Sequence, residues 1–366
     1  MTSDITNDLW VSKTFASMRI PLAVFIVFLH AHFHEMTFDG KMMASWEHFP
    51  IYATTSFFFS QIICRLSVPL FFLISGYYFF HQVERFSFAL YGEKLRKRAK
   101  TLFVPYVCWN VIYIGLFFLA ETFIPNMRST ATKFVTDYSI EEWLRTFWDL
   151  KNGYPINGAM WFIRDLMIIM LASPVIYYAV KYLKIIPLVV LAYCWSSGLW
   201  GNSIIPRGSA VLFFTLGAYL SVNEIGFIQL VHSIRYYLLA IFVAVSIVMI
   251  VMEAQGHFVY SYRFGLFNIL IGAFLTIGLF AHYVKKHEVS LSSCSAGKSF
   301  FIYAYHSLPL ALCLNIAFKF LLPHTEAELL LIYLLTPSFI AFLGIVFYQA
   351  ISKYIPRSLS LLTGGR

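Results

Sequence analysis

Apolar runs of about twenty residues recur throughout this sequence, and they constrain the fold more tightly than anything else in it. The runs are 14–34, 53–81, 101–121, 159–180, 185–200, 209–223, 236–254, 262–284, 299–321 and 328–350. A helix needs ~20 apolar residues to cross a hydrocarbon core ~30 Å thick. Backbone amides facing lipid must bond within their own segment, so runs this long select the helix. The expected fold class is therefore all-α: a polytopic membrane helix bundle of about ten transmembrane helices, forming one integral-membrane domain over 1–366. The fifth and sixth runs are short, and the loop 201–208 between them is expected to enter the membrane partway.

Only 12% of the residues are charged, about half the ~25% of ordinary soluble domains. That leaves too little polar side chain to coat a water-soluble particle. The net charge of +9 reads as membrane topology and not as a nucleic-acid surface. Lys13, Arg85, Lys94, Arg96, Lys97, Arg98, Lys100, Lys181, Lys184, Arg235, Lys285, Lys286, Lys298, Lys353, Arg357 and Arg366 fall on one side, in alternate connections and at the ends, whereas the other connections carry Lys41, Arg128, Lys133, Arg145, Lys151 and Arg207. The positive-inside rule then predicts both termini in the cytoplasm, N-in/C-in, in a multi-pass protein of the cytoplasmic (inner) membrane. The opening "MTSDITNDLWVSKTF" is polar and no Ala-x-Ala-like site follows the first run, so that span is expected to be retained. The five cysteines form neither a disulfide framework nor a zinc pattern. In the longest outer connection, "TDYSIEEWLRTFWDL" (136–150) is expected to form an amphipathic helix on the outer surface.

Ionisable groups within spans are costly and mark functional candidates. Arg19 and His30 stand at the two ends of "RIPLAVFIVFLH" within the first run; on a helix they point in nearly the same direction, ~16 Å apart along the axis. Either they face a common interior cleft, or Arg19 snorkels to the interface and His30 satisfies a neighbour. His30 and His34 in "HAHFHE" share a helical face, but no second His/Cys/Asp/Glu cluster stands out to complete a metal site. Arg65 sits within the second run and needs a partner or a wet cavity. Arg164 and Asp165 are adjacent near the start of the fourth run; diverging by ~100°, they are expected to bond different partners. His306 lies in an apolar run beside Tyr303 and Tyr305. The block Arg96, Lys97, Arg98, Lys100 either anchors the topology on anionic membrane lipid or receives a phosphate-rich ligand. "SAGKS" (295–299) lacks the earlier glycine of a P-loop, because Ser292 stands at that position.

Arg19, ten residues and His30 reproduce the Arg-x10-His pattern of the membrane acyltransferase-3 family, which the chain resembles over nearly its whole length. "FFLISG" (71–76) looks like that family's Phe-Phe-x-x-Ser-Gly motif, the basic block before "VPY" (94–106) resembles its Arg-x-x-Arg region, and "MWFIRDLMI" (160–168) is similar to a Trp-Phe-containing span start. One departure is that Lys97 and Lys100 occupy the i, i+3 pair, without arginine's planar fork.

The resemblance implies transfer of an acyl group, usually acetyl, from cytoplasmic acyl-CoA to a hydroxyl of an extracytoplasmic glycan or lipid-linked saccharide. No permanently bound cofactor is implied, and no metal. His30 would act as general base or transient acyl carrier, with Arg19 orienting the donor or compensating the leaving thiolate. Arg65, Arg96, Lys97, Arg98 and Lys100 would hold the donor. Trp161, Arg164, Asp165 and His306 would serve the acceptor side. Ser75 and Gly76 read as permitting close helix approach. Two other classes share these residues: a carrier for a lipid-linked sugar or small anion, and a sensor or scaffold with structural buried charges.

Overall fold

The computed structural model describes residues 2–33, 37–38, 41–42, 46–83, 85–123, 133–149, 153–201, 204–287 and 294–366. Apart from a two-residue antiparallel ladder, β1 (Thr37–Phe38) with β2 (Lys41–Met42), the described regular structure is helical. In chain order the helices are α1 (Thr2–His30), α2 (Pro50–Phe80), α3 (Phe88–Phe123), α4 (Ile140–Trp148), α5 (Gly158–Leu171), α6 (Ser173–Tyr182) and α7 (Ile186–Ser196). They continue with α8 (Gly208–Val222), α9 (Phe227–Ala254), α10 (Phe258–His287), α11 (Cys294–Tyr305), α12 (Ser307–Leu321), α13 (Glu326–Tyr354) and α14 (Pro356–Thr363).

Each of the ten apolar runs is helical, but not all are membrane-spanning by length. Six helices (α1, α2, α3, α9, α10 and α13) are long and apolar enough to cross. Two further spans arise only if the bent pairs α5–α6 (63°) and α11–α12 (52°) each count as one. This replaces the expected ten with six to eight. At ~1.5 Å per residue, the 11 residues of α7 and the 15 of α8 reach only part of the way through a ~30 Å core. These lengths make the chain a multi-pass membrane protein.

Proline accounts for the breaks. Pro309 supplies no N–H to the carbonyl of Tyr305, four residues back, and that carbonyl accepts Tyr113 Oη instead (3.3 Å). Pro174 plays the corresponding part just past the α5–α6 break. A third proline, Pro105, leaves the Thr101 carbonyl without its usual helical donor, and a π-turn spans Ala99–Phe103 just before it. In α2 the π-turn Phe57–Ile63 runs into a 3-10 turn at Cys64–Leu66, where Ser60 Oγ reaches the carbonyl of Phe28 on α1 and the hydroxyl of Tyr333 on α13, both at 2.7 Å.

α1 is the central column, packed by α2, α10, α11 and α13. Between lipid-soluble helices the hydrophobic effect supplies little drive, so close backbone approach and dispersion hold the bundle. The closest approach joins the second half of α2 to α8. A Cβ on Gly76 would collide with the Phe214 carbonyl, and one on Gly217 with the Leu73 carbonyl. Large apolar side chains on the outer faces, such as Val111, Phe118, Ile247, Leu335 and Phe342, are exposed, as a lipid-facing rim requires.

α4 forms as expected. Ser139 Oγ accepts the Glu142 amide and the Glu142 carboxylate accepts the Ser139 amide, a reciprocal cap. Ile140 and Leu144 are exposed beside Trp143 and Trp148 while Glu141 and Arg145 pair with each other, which gives the helix an apolar face and a polar one.

Candidate active site

A cavity of about 300 Å³ opens at the basic end of the bundle. α1 contributes Arg19 and Ile26, seven residues apart on one face. α2 contributes Phe71, Ile74, Ser75 and Tyr78, a repeat of three and four. The "FFLISG" segment therefore works on two faces: Phe71, Ile74 and Ser75 line the cavity, while Leu73 and Gly76 press against α8. α5 adds Phe162, Ile163 and Leu166, and α11 adds Ala296, Ser299, Phe300 and Tyr303. Arg98 and Leu102 of α3 and Arg366 complete the wall. Ser299 Oγ donates to the Arg19 carbonyl at 2.9 Å and fixes α11 against α1 at this level.

Ile26 and Tyr303 are the lining residues of α1 and α11 nearest the two histidines in sequence, and Phe162 packs against Tyr303 with ring centroids 5.7 Å apart. All three are buried, and Tyr303 Oη donates to the Ala159 carbonyl. His30 lies one turn beyond Ile26, and His306 lies three residues beyond Tyr303, so both histidines follow on the same two helix faces past these lining residues. His30, at the end of α1, is exposed to solvent. His306 is completely buried behind it, with ring centroids 5.3 Å apart. The Nδ1 of His306 is 2.6 Å from the Tyr303 carbonyl. A carbonyl only accepts, so Nδ1 carries the hydrogen and Nε2 is left as an acceptor. That Nε2 is buried without a hydrogen-bond partner among the described residues.

The kink places His306 there. At the α11–α12 break, Tyr113 Oη contacts Ser307 Oγ (2.8 Å) and accepts the Leu308 amide (3.1 Å). Asn157 Nδ2 donates to the Ala304 carbonyl at 3.0 Å. These bonds satisfy backbone groups that Pro309 leaves without helical partners.

The other anticipated site residues divide. Arg98 lines the cavity, but Arg96, Lys97 and Lys100 are exposed, and Lys97 pairs with Glu93 at 2.8 Å. Arg65 does not line the cavity. It lies six residues before Phe71, on another face and ~9 Å toward the opposite end, with its guanidinium 5.9 Å from the Tyr262 ring centroid of α10. Trp161 faces the Arg207 guanidinium at 3.9 Å, and Arg207 also covers Tyr154 at 4.8 Å.

Arg164 and Asp165 correct the expectation that they bond different partners. Arg164 Nε and Nη2 both donate to Asp165 Oδ1, at 3.0 and 2.8 Å. The long arginine stem curls back far enough to overcome the ~100° divergence. Nη1 reaches the carbonyls of Gly153 (3.1 Å) and Asp149 (3.4 Å), and Asp165 Oδ2 accepts the Arg207 amide at 2.9 Å. Both side chains are 0% exposed, so the pair is closed to a ligand and fastens two loops to α5. Among the described residues no three His, Cys, Asp or Glu side chains gather as metal ligands; His34 and Glu35 lie outside the described residues.

A family profile described as an acyltransferase domain matches residues 15–351, which takes in Arg19, His30, the "FFLISG" wall and His306. The chain belongs to the membrane acyltransferase-3 family. It is also similar to the succinoglycan biosynthesis protein ExoH of Rhizobium meliloti (strain 1021), at 26% identity over 260 residues, or 67% of this chain. The chain spans 63% of that relative's length. No solved structure matches. Ser299 and Tyr303, within the matched acyltransferase-3 domain, and Arg366, beyond its end, line the cavity without having been singled out as site candidates in the sequence. Ser299 and Tyr303 had a detectable signal, because they share a helical face with His306; Arg366 had none.

Proposed function

We propose that this protein transfers an acyl group, acetyl in the first instance, from acyl-CoA to a hydroxyl of a glycan or lipid-linked saccharide on the far side of the membrane. The observation that carries this reading is the shared geometry of α1 and α11. Both helices wall a cavity with arginines at its basic end, and both present a histidine about one turn past a lining residue. The positive-inside rule puts the basic end in the cytoplasm, where acyl-CoA is found. Arg19 and Arg98 offer cations to the donor's phosphates. The apolar wall of Ile26, Phe71, Ile74, Leu102 and Phe162 suits a slender pantetheine arm.

The acyl end then meets the layer of Ile26, Phe162 and Tyr303 and must displace it to reach His30. There the chemistry takes one of two forms. As general base, His30 removes the proton of the acceptor hydroxyl while its oxygen attacks the thioester carbonyl; the C–S bond breaks and the thiolate leaves with the proton returned by the imidazolium. As nucleophile, His30 takes the acyl group first, releases CoA, and yields the group to the hydroxyl. The similarity to a protein named for succinoglycan biosynthesis supports a glycan acceptor, and it sets a succinyl donor beside acetyl as a candidate.

The test uses the purified protein in nanodiscs with acetyl-CoA labelled in the acetyl group. CoA release with label appearing on a saccharide acceptor, abolished in His30→Ala, is the expected result. Label trapped on His30 identifies the nucleophilic route. Equal turnover in His30→Ala would remove the mechanism, and flux of intact saccharide without CoA release would make the protein a carrier.

A further inference from the structure

Arg366 lies far from α1 and α3 in sequence, yet it stands in the cavity wall between them. Its position traces back to Pro105. The Thr101 carbonyl, deprived of that helical donor, accepts Arg366 Nη2 at 3.0 Å. Gly364 makes the approach possible: its φ is +67°, and a Cβ there would collide with the same carbonyl. Trp109 Nε1 donates to the Leu362 carbonyl at 3.0 Å, which pins α14 to α3 one step earlier. The guanidinium then lies over the Phe300 ring, 4.4 Å from its centroid.

Arg19, Arg98 and Arg366 thus border one cavity, all half-buried. Burial first, then the charges of Arg98 and Arg19, pull the Arg366 pKa down to about 10. Among the described residues no Asp or Glu side chain lines the cavity, and none of the three arginines forms a salt bridge with one. Three guanidinium groups bordering one cavity with no acidic side chain in its described wall make a positive site that favours an anion with several acceptor oxygens.

We infer that Arg366 is the third guanidinium of a phosphate-binding site at the basic mouth of the cavity, and that the phosphates are those of the acyl-CoA donor. The inference rests on the donor reading above and extends it to a residue that no motif marks. A polyphosphate fits three separated forks better than a carboxylate does, since it offers acceptor oxygens to each.

The test compares acetyl-CoA with acetyl-pantetheine, which keeps the thioester and arm but lacks the phosphates, in nanodiscs of zwitterionic lipid. Arg366→Gln should raise the KM for acetyl-CoA about tenfold or more, the order expected on losing a charge-assisted hydrogen bond. Its kcat should stay unchanged, as should its KM for acetyl-pantetheine. Arg366→Lys, which keeps the charge, should show a smaller rise confined to acetyl-CoA, and it carries the test should the glutamine variant fold poorly. An equal loss on both donors would make Arg366 a structural plug and overturn the inference. So would an effect seen only when anionic lipid is added, because the site would then hold a headgroup. If the unaltered protein turns over neither donor, the acyl-CoA reading itself falls; if it uses both and the Arg366 variants match it, only this inference does.

Discussion

The imidazole planes of His30 and His306 are inclined by 34° with their centroids 5.3 Å apart, one ring reached by solvent and the other sealed behind it. A buried acceptor without a partner costs about 1–3 kcal/mol, so the Nε2 of His306 is expensive to keep. Its ring lies beside the one residue that the proposed reaction protonates or acylates. His306→Asn retains a donor for the Tyr303 carbonyl and loses Nε2. We expect it to lower kcat about tenfold or more while the KM for the acyl donor holds, read by CoA release. An unchanged kcat would leave His306 as packing alone.

The basic block within α3 divides into one residue that faces the cavity and three that do not. Arg98→Gln is expected to raise the donor KM by about tenfold, on the scale of one charge-assisted contact. Arg96→Gln, Lys97→Gln and Lys100→Gln should each leave it within about twofold, as exposed charges do. A uniform rise across all four would mean that the block acts through its summed field.

Gly76 and Gly217 set the distance between α2 and α8. Because each would drive a Cβ into backbone, which cannot swing aside, Gly76→Ala and Gly217→Ala should each cost about 1–3 kcal/mol. The loss should appear as a lower midpoint in thermal unfolding in detergent. Turnover should fall with it, since Phe71, Ile74 and Ser75 line the cavity from the same helix.

The Arg164–Asp165 pair predicts a particular pattern of non-additivity. Removing one partner of a buried pair leaves an uncompensated charge and costs about 3–5 kcal/mol. Arg164→Met and Asp165→Leu should therefore each abolish folded expression, and the double variant should recover part of it. Well-folded single variants that lose only activity would instead place the pair in the chemistry.

Glu142 sets a pH limit on α4. Its pairing with Lys133, then its bonds to Ser139, pull its pKa down to about 2 from the usual carboxylate range. A depressed folded-state pKa adds stability that is fully present above the unfolded value and lost as pH falls toward the folded one. Amide exchange in α4, measured relative to the bundle, should accelerate between about pH 4.5 and 2, and Glu142→Gln should remove that dependence.

Sequence periodicity was enough to reveal the helices, because an apolar run in lipid has one way to satisfy its backbone. It also paired Arg19 with His30 on one face and placed an amphipathic helix at α4, both local relations. It misjudged what depends on tertiary closure. The shortness of α7 and α8 was visible, but whether a short helix crosses depends on its neighbours. Arg164 and Asp165 looked divergent because helical angles describe Cβ directions and not the reach of a long side chain. Arg366 was invisible because Thr101, its anchor, is distant in sequence, and only the missing N–H of Pro105 hinted that this carbonyl needed a donor.

Ile26, Phe162 and Tyr303 have an electrical consequence. In the orientation proposed above, the arginine-lined cavity and the exposed His30 would open to opposite sides of the membrane, with about one helical turn, ~5.4 Å, between Ile26 and His30 in place of the ~30 Å of hydrocarbon elsewhere. In that orientation the membrane voltage would fall mostly across that trio. A charge displaced through it would sense most of the ~2.3 kcal/mol per 100 mV available to a full crossing, which couples any such step to the energised state of the cell.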